Sequence, residues 1–210
     1  MEGGRLEGES ALNARDAKAF VFDLDGTLAT IPVDWEAVRE RLKAVTGRRE
    51  ELRPIFPTIG DVIAKEPKLG APIFAAIDEF EWEAVPRSRL YDGASALLSV
   101  LAERARVSLV TMQGRRSAMK VLEMFDLKQF FSHCFTREDS MDRAEQLKMA
   151  LSSMKADRSS SVFVGDRLND LNAAKKVGVP FVLVRTHGDD PDDEDIPVYH
   201  SLAEFAAAVS

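Results

Sequence analysis

An apolar run at residues 20–22 ends in two carboxylates, Asp23 and Asp25, and this arrangement constrains the fold more than any other part of the chain. The residues of the run are strong β-formers that belong in a buried strand. Gly26 and Thr27 follow the second carboxylate and break the strand. Two carboxylates this close repel each other unless a cation or a proton lies between them. The segment therefore predicts a metal site or an acid–base pair at the end of a buried strand.

Length and composition restrict the class of protein. The 210 residues suffice for one ordinary domain with a small insertion, and 45% hydrophobic content is typical of a soluble globular chain. A formal net charge of −7 argues against nucleic acid as a partner, because nucleic-acid-binding domains carry a basic excess. The single cysteine, Cys134, excludes an internal disulfide and fits a reducing compartment. Because no run approaches the roughly 20 apolar residues that span a bilayer, we expect a cytoplasmic protein without a membrane partner.

Strand-like and helix-like patterns alternate along most of the chain. The predicted strands cover residues 19–24, 107–110, 131–135, 161–164 and 180–184. The predicted helices cover residues 94–105, 117–125, 143–155 and 169–177. Such alternation implies right-handed crossovers and the α/β class, with a Rossmann-like, doubly wound parallel sheet. Ligands bind beyond the carboxyl ends of the strands in such sheets, where we expect Asp23, Thr111 and Asp166 to lie together.

Residues 32–89 interrupt the alternation with helical patterns and no convincing strand. Asp34 is a suitable N-cap for the first of these helices, and several glycines and prolines divide the segment into short pieces. We therefore expect a small helical cap at 32–89, inserted into an α/β core of residues 18–31 and 90–210. Residues 1–17 are expected to form a flexible N-terminal extension.

Two features of the predicted cap are candidates for substrate recognition. Five cations could read a second anionic group of a substrate, or could simply lie on a solvated face: Arg48, Arg49, Arg53, Lys65 and Lys68. The segment 57–61 is a candidate substrate loop, because Gly60 can bring backbone close to a ligand.

Three segments of the chain resemble motifs of the haloacid dehalogenase superfamily, in its phosphoglycolate-phosphatase-like branch with a helical (C1-type) cap. Residues 23–28 (DLDGTL) resemble the first motif, and residues 108–114 (SLVTMQG) resemble the second. Residues 163–180 resemble the fourth motif, with its G-D-x-x-x-D pattern. The resemblance extends over residues 18–206. It implies an enzyme that hydrolyses phosphate monoesters with the help of Mg²⁺ through an aspartyl-phosphate.

The resemblance implies a role for each of four aspartates. Asp23 would be the nucleophile and a metal ligand. Asp25 would donate a proton to the leaving group and later take one from water, and its backbone carbonyl would bind the metal. Asp166 and Asp170 would complete the metal site. Oxygen-only ligands of this kind suit magnesium and not zinc.

The resemblance also implies a phosphate-binding loop. Thr111 would hydrogen-bond a phosphoryl oxygen together with the backbone N–H groups of Met112 and Gln113. Gly26 would allow the backbone to approach the phosphate closely. From the residues alone, Thr111 could equally be an ordinary strand-end threonine that caps a turn, and Gly26 a plain strand terminator.

The chain departs from the superfamily at the third motif, which is a lysine often followed by proline. Arg143 lies nearest to the expected position and is our first candidate for the cation that assists phosphoryl transfer and binds phosphate. An arginine can supply this charge with two donors. Lys148, further along the same predicted helix, is a second candidate for phosphate binding, and Arg137, after the strand at 131–135, is a third.

The predicted function is Mg²⁺-dependent hydrolysis of the phosphate monoester of a small metabolite, either phosphoglycolate-like or a sugar phosphate. Two alternatives remain open. One is a phosphomutase of the β-phosphoglucomutase type, whose cap would keep water away from the phosphoenzyme. The other is a catalytically weak phosphate-binding or regulatory relative. We expect a small phosphorylated metabolite as the partner, no nucleic acid or membrane, and a monomer or homodimer.

Overall fold

A computed structural model describes residues 14–48, 52–185 and 196–210. Its strands are β1 (Ala19–Phe22), β2 (Ala29–Thr30), β3 (Arg89–Leu90), β4 (Arg106–Val110), β5 (His133–Phe135), β6 (Ser161–Gly165), β7 (Phe181–Val184) and β8 (Val198–Tyr199). Its α-helices are α1 (Trp35–Thr46), α2 (Ile55–Lys65), α3 (Gly70–Ala84), α4 (Ala94–Ala102), α5 (Arg115–Met124), α6 (Arg143–Ser153), α7 (Leu168–Val177) and α8 (Leu202–Val209). Among the described residues, no helix combines the length and the apolar character needed to span a bilayer.

Six of these strands form one parallel sheet in the order β5-β4-β1-β6-β7-β8. β1 lies inside the sheet, where Ala19 pairs with Arg106 of β4 on one side and with Ser161 of β6 on the other. The predicted fold class, a doubly wound parallel α/β sheet, is confirmed. The five predicted strands are all present, and their ends differ from the prediction by no more than two residues.

The side chains of β1 alternate between two hydrophobic clusters, one on each face of the sheet. Phe20 and Phe22 pack with residues of α4, α5 and α8, whereas Ala19 and Val21 pack with residues of α6 and α7. Burial on both faces explains why the strand is continuously apolar. The first polar side chain after this run, Asp23, therefore lies at the carboxyl end of a central strand.

The helices α1 to α3 pack around a separate hydrophobic cluster, and we call residues 35–84 the helical insertion. The carboxylate of Asp34 accepts a hydrogen bond from the N–H of Ala37 at 3.0 Å, so the predicted N-cap of α1 is confirmed. The two-residue strands β2 and β3 pair antiparallel at the base of the insertion, where Ala29 pairs with Leu90. The division of the chain into a core and a cap at residues 32 and 89 stays a prediction.

The ordered core begins earlier than predicted. Residues 14–17, which we expected in a flexible extension, carry a short 3₁₀ helix at Ala14–Asp16, and Ala17 is fully buried. Arg104 donates to the carbonyl of Arg15 at 2.8 Å, and Arg15 donates to that of Ala208 at 2.9 Å. The first contact ties the segment to the residues after α4, and the second ties it to α8. Neither α8 nor β8 was predicted from the sequence. Residues 1–13 lie outside the described residues.

The prediction of a substrate loop at residues 57–61 is wrong, because these residues lie within α2. Pro57 occupies the first turn of that helix, where a missing N–H costs nothing. Gly60 faces Met141 of the loop before α6, and a methyl group in its place would lie 3.6 Å from the Met141 methyl carbon. The glycine therefore serves packing between the insertion and the core.

Candidate active site

A cavity of about 690 Å³ opens where the carboxyl ends of β4 and β1 meet the helical insertion. Its size falls within the roughly 300–1,000 Å³ range of small-molecule sites. On the sheet side it is lined by predicted site residues: Asp23, Asp25, Thr111, Met112, Gln113, Arg143 and Asp170. The sheet topology brings these residues together, because β4, β1 and β6 are adjacent and parallel.

Asp23 and Arg143 form an ion pair at the base of this cavity. Nη2 of Arg143 lies 2.8 Å from Oδ1 of Asp23, and its Nε lies 3.0 Å from Oδ1 of Asp170. Arg143 is the first residue of α6, and the carboxylate of Asp142 caps this helix through the N–H of Ala144 at 2.8 Å. The cap fixes the start of the helix and with it the guanidinium that reaches the carboxylates.

Three carboxylates of the site lie close enough to hold a metal ion. Oxygens of Asp23, Asp166 and Asp170 lie within 4.8 Å of one another, and all three residues are buried. Among the described residues, Oδ1 of Asp170 has no hydrogen-bond partner in spite of its ion pair with Arg143. Hard oxygen ligands with an unsatisfied buried lone pair are what Mg²⁺ binds. The side chains present therefore fit the magnesium ion that the sequence predicts.

The electrostatics of the cluster show why it requires positive charge. Burial raises the pKa of Asp23 well above its usual range, and the neighbouring carboxylates raise it further, whereas the Arg143 guanidinium lowers it. Burial likewise raises the pKa of Asp170, again against the effect of Arg143. Arg167, whose Nε lies 3.3 Å from Oδ2 of Asp166, also lowers the pKa of Asp170. The two arginines do not fully offset the cost of collecting these carboxylates in a buried place. A bound divalent cation would favour their ionised forms.

The segment after Asp23 is shaped around Asp166. Gly26 has φ +94°, and a Cβ atom there would lie 2.2 Å from Oδ2 of Asp166, so this position admits no side chain. Thr27 is fully buried and its hydroxyl donates to Oδ1 of Asp166 at 3.2 Å. The carboxylate of Asp25 accepts a hydrogen bond from the N–H of Ile31 at 2.8 Å, which holds its side chain at the cavity.

The loop after β4 orients Thr111 and Gln113. The N–H of Gln113, which is predicted to bind phosphate, donates to the hydroxyl of Thr111 at 3.1 Å. A bound phosphoryl group would therefore compete with this hydroxyl for the N–H. The same hydroxyl can still donate its own proton. The side-chain amide of Gln113 lies 3.5 Å from Oδ2 of Asp25. The buried amide of Gln146 donates to the carbonyl of Thr111 at 3.0 Å and thus holds the loop against α6.

The two alternative cations lie away from the carboxylates. Lys148 has a half-exposed side chain, pairs with Glu145 at 3.3 Å and is outside the residues that line the cavity, so its phosphate contact stays a prediction. Arg137 is fully buried and pairs with Glu81 and Asp78 of α3. A lysine one turn into α6 points along the helix surface, whereas Arg143 at the first position reaches the strand ends.

Sequence reasoning missed several residues of the site. Thr27 and Gln146 act through hydrogen bonds to predicted site residues, and no spacing pattern distinguishes them from ordinary core residues. Of the five cations proposed for the cap, Arg53 lines the cavity and Arg49 lies outside the described residues, whereas Arg48, Lys65 and Lys68 do not line it. Arg39, which was not proposed, lines it instead, four residues after the cavity-lining Trp35 on α1.

Two known proteins resemble this chain, one over most of its length and one over less than half of it. An N-acetylmuramic acid 6-phosphate phosphatase of Pseudomonas aeruginosa is 25% identical over 199 aligned residues, which cover 84% of this chain and 85% of that protein. A pyrophosphatase, PpaX, of Halalkalibacterium halodurans is 29% identical over 98 residues, 45% of this chain and 46% of that protein. This second alignment thus spans about half the length of the relative.

The fold has a close counterpart among solved structures. A haloacid dehalogenase-like family hydrolase from Streptococcus pneumoniae superimposes with a TM-score of 0.70 at 14% identity, covering 93% of this chain and 99% of that one. The sequence profile of the family described as haloacid dehalogenase-like hydrolase matches residues 20–184, from the strand that precedes Asp23 to the end of β7. The chain therefore belongs to the haloacid dehalogenase-like hydrolase family.

Proposed function

We propose that the protein is a Mg²⁺-dependent phosphatase that hydrolyses the phosphate monoester of a small metabolite through an aspartyl-phosphate on Asp23. The observation that carries this proposal is the ion pair between Asp23 and Arg143, 2.8 Å apart, in a cavity that Asp25 also lines. A buried carboxylate with an adjacent guanidinium and a second carboxyl group provides a nucleophile, a charge stabiliser and a proton carrier. The family membership and the phosphatase activity named for the Pseudomonas relative support the same reaction class.

In the first half-reaction, a carboxylate oxygen of Asp23 attacks phosphorus as the ester P–O bond breaks. The carboxyl group of Asp25 gives its proton to the departing alkoxide, so the alcohol leaves neutral. Arg143 neutralises negative charge on the transferring phosphoryl oxygens, and the Thr111 hydroxyl donates to one of them. The products of this step are the free alcohol and a phosphoryl group on Asp23.

In the second half-reaction, a water molecule attacks the same phosphorus. The Asp25 carboxylate takes a proton from that water, the bond between phosphorus and Asp23 breaks, and inorganic phosphate leaves. Asp23 is again a carboxylate and Asp25 again carries a proton, so the cycle closes. The hydrogen bond from the Ile31 N–H holds Asp25 in place for both proton transfers.

The carboxylates of Asp23, Asp166 and Asp170, with the backbone carbonyl of Asp25, would hold the Mg²⁺ ion. When bound, the ion lowers the repulsion between the phosphate dianion and the carboxylates and stabilises charge on the phosphoryl oxygens. Thr27 and Gly26 act on this site indirectly, because one donates to Asp166 and the other leaves it room. Arg143 takes the position of the lysine that the third motif of the superfamily supplies.

The test is phosphate release from a panel of small phosphate esters, with and without Mg²⁺. We expect metal-dependent release by the wild type and none by Asp23→Asn, whereas Asp92→Asn, at an exposed aspartate outside the cavity, matches the wild type. Mass spectrometry of the quenched reaction should detect one phosphoryl group on Asp23 that hydroxylamine removes. Release that persists in Asp23→Asn would contradict the mechanism, and isomerisation of a sugar phosphate without net release would indicate a mutase.

A further inference from the structure

The cavity has an apolar wall that the proposed chemistry does not use. Trp35 and Phe56 contribute to it from the helical insertion, and their rings pack edge to face with centroids 5.8 Å apart. Met141 lines the same cavity from the loop before α6 and packs against the hydrophobic cluster of the insertion. A phosphoryl group gains nothing from apolar surface, so this wall indicates a substrate with an apolar or planar body.

Arg39 lines the same cavity one helical turn after Trp35 on α1. Its side chain is only 14% exposed, and among the described residues its buried Nε has no hydrogen-bond partner. Its Nη2 atom pairs with the carboxylate of Glu36, which is 63% exposed and therefore solvated. The guanidinium lines the cavity and has several N–H donors, of which Nη2 donates to Glu36, so it is able to bind a further oxyanion there.

A second guanidinium lies at the same place. Arg53, just before α2, lines the cavity and has its Nη2 atom 3.0 Å from Oε2 of Glu36, the same oxygen that Arg39 contacts. The shared carboxylate thus holds two guanidinium groups together at the rim of the apolar wall formed by residues of α1 and α2. Two planar donor groups side by side favour a planar oxyanion such as a carboxylate.

We propose that Arg39, oriented by Glu36 and assisted by Arg53, binds a carboxylate at the far end of the substrate from its phosphate, while Trp35 and Phe56 contact the apolar body between the two. The preferred substrates are therefore phosphate monoesters with a planar or apolar middle and a second anionic group. This proposal rests on the proposed phosphatase function, because it assigns the second end of the same substrate.

The test compares two esters that differ in charge and hardly in shape, 3-carboxyphenyl phosphate and 3-carbamoylphenyl phosphate. We expect kcat/KM of the wild type to be about tenfold higher for the carboxylate ester, because KM for that ester is lower. One charge-assisted hydrogen bond contributes a binding free energy of this size. Arg39→Gln should remove the preference by raising KM for the carboxylate ester alone. Arg39→Lys should keep part of it, and Arg41→Gln, at an exposed arginine of the same helix, should keep all of it.

Calorimetric binding of both esters to Asp23→Asn, with and without Arg39→Gln, measures the same preference without turnover. Equal affinity of Asp23→Asn for the two esters would overturn the assignment of Arg39, as would an Arg39→Gln variant that weakens both esters equally. Absence of release by the wild type, combined with a binding preference that Arg39→Gln abolishes, would reject the phosphatase and keep the anion site. Phosphate release from both esters with equal kcat/KM would support the phosphatase and reject the anion site.

Discussion

Arg137 and Glu81 form a bidentate ion pair in which neither side chain has any exposed surface. The pair joins the segment after β5 to α3 of the helical insertion. Arg137 also donates to the carbonyl of Met112 at 3.0 Å, and Glu81 accepts from the N–H of Gly114 at 2.9 Å. The insertion, the core and the loop that carries Thr111 are therefore fastened at one buried point.

Removal of one partner of this pair should strongly destabilise the protein. We expect Arg137→Met or Glu81→Gln to lower the free energy of unfolding by about 3–5 kcal/mol, because each leaves a buried group without its counterpart. Urea denaturation followed by tryptophan fluorescence measures the loss. The combined replacement Arg137→Met with Glu81→Leu should cost less than the sum of the two single changes.

A surface pair in the same protein provides the control for this measurement. Lys148 and Glu145 lie 3.3 Å apart with half-exposed side chains, so Glu145→Gln should change the free energy of unfolding by less than about 0.5 kcal/mol. An Arg137→Met variant as stable as Glu145→Gln would show that the buried pair contributes no net stability.

Arg143 should be the cation that turnover requires. We expect Arg143→Gln to lower kcat by about 100- to 1,000-fold, because it removes charge that stabilises the transition state. Arg143→Lys should recover part of this loss, since lysine keeps the charge and loses the fork of donors. Steady-state phosphate release is the measurement, and Lys148→Gln is the matched control. Full activity of Arg143→Gln together with loss of activity in Lys148→Gln would show that Lys148, and not Arg143, is the cation that turnover requires.

A methyl group at Gly26 should damage the metal site and not only the backbone. Gly26→Ala places a Cβ atom 2.2 Å from Oδ2 of Asp166, so the carboxylate has to move. We expect Mg²⁺ affinity, measured by calorimetry, to fall by at least about tenfold. Gly47→Ala is the matched control, because Gly47 also has a positive φ of +66° and nothing lies within 4 Å of its added Cβ.

The two glycine variants separate backbone strain from steric conflict. Gly47→Ala should cost about 1–2 kcal/mol of stability through its left-handed conformation and leave Mg²⁺ affinity unchanged. If Gly26→Ala binds Mg²⁺ as tightly as Gly47→Ala does, then Asp166 is not a metal ligand.

Cys134 should react only at high pH. Burial raises the pKa of its thiol to about 11 from an ordinary value of 9.0, although Lys128 and Arg115 oppose the shift. The thiolate is the reactive form, so the alkylation rate at neutral pH should be about 100-fold below that of the same chain unfolded in urea. Iodoacetamide modification followed by mass spectrometry over a pH series gives both rates. A folded-state rate that levels off near pH 9 would contradict the shift.

The sequence predicted the core because periodic signals there are strong and local. The apolar run before Asp23, the β-branched strands and the helices between them are each readable within a short window, and parallel topology then brings Asp23, Thr111 and Asp166 to one edge. The position of Arg143 at the start of α6 followed from its distance to the fourth motif. The two-residue strand β8 was too short to give any periodic pattern.

The cavity wall formed by the helical insertion was harder to predict, because it depends on how the insertion and the core, which pack around separate hydrophobic clusters, face each other. Arg39 and Trp35 share one face of α1, yet the sequence does not specify which face looks toward the sheet. Pro57 and Gly60 indicated a loop by their types alone, whereas the hydrophobic cluster of the insertion stabilises α2 in spite of them. At these two positions, tertiary packing outweighs the low helix propensity of the residues.

The central place of β1 restricts when the sheet can be completed during synthesis. The strand that carries Asp23 is synthesised before β4 and β6, so its two hydrogen-bonding edges stay open until residues 106–110 and then 161–165 have left the ribosome. Such distant pairings form slowly, because long loops must close first. An apolar strand with both edges open is a template for pairing with other nascent chains. We therefore expect newly made protein to depend on chaperones until β6 has left the ribosome.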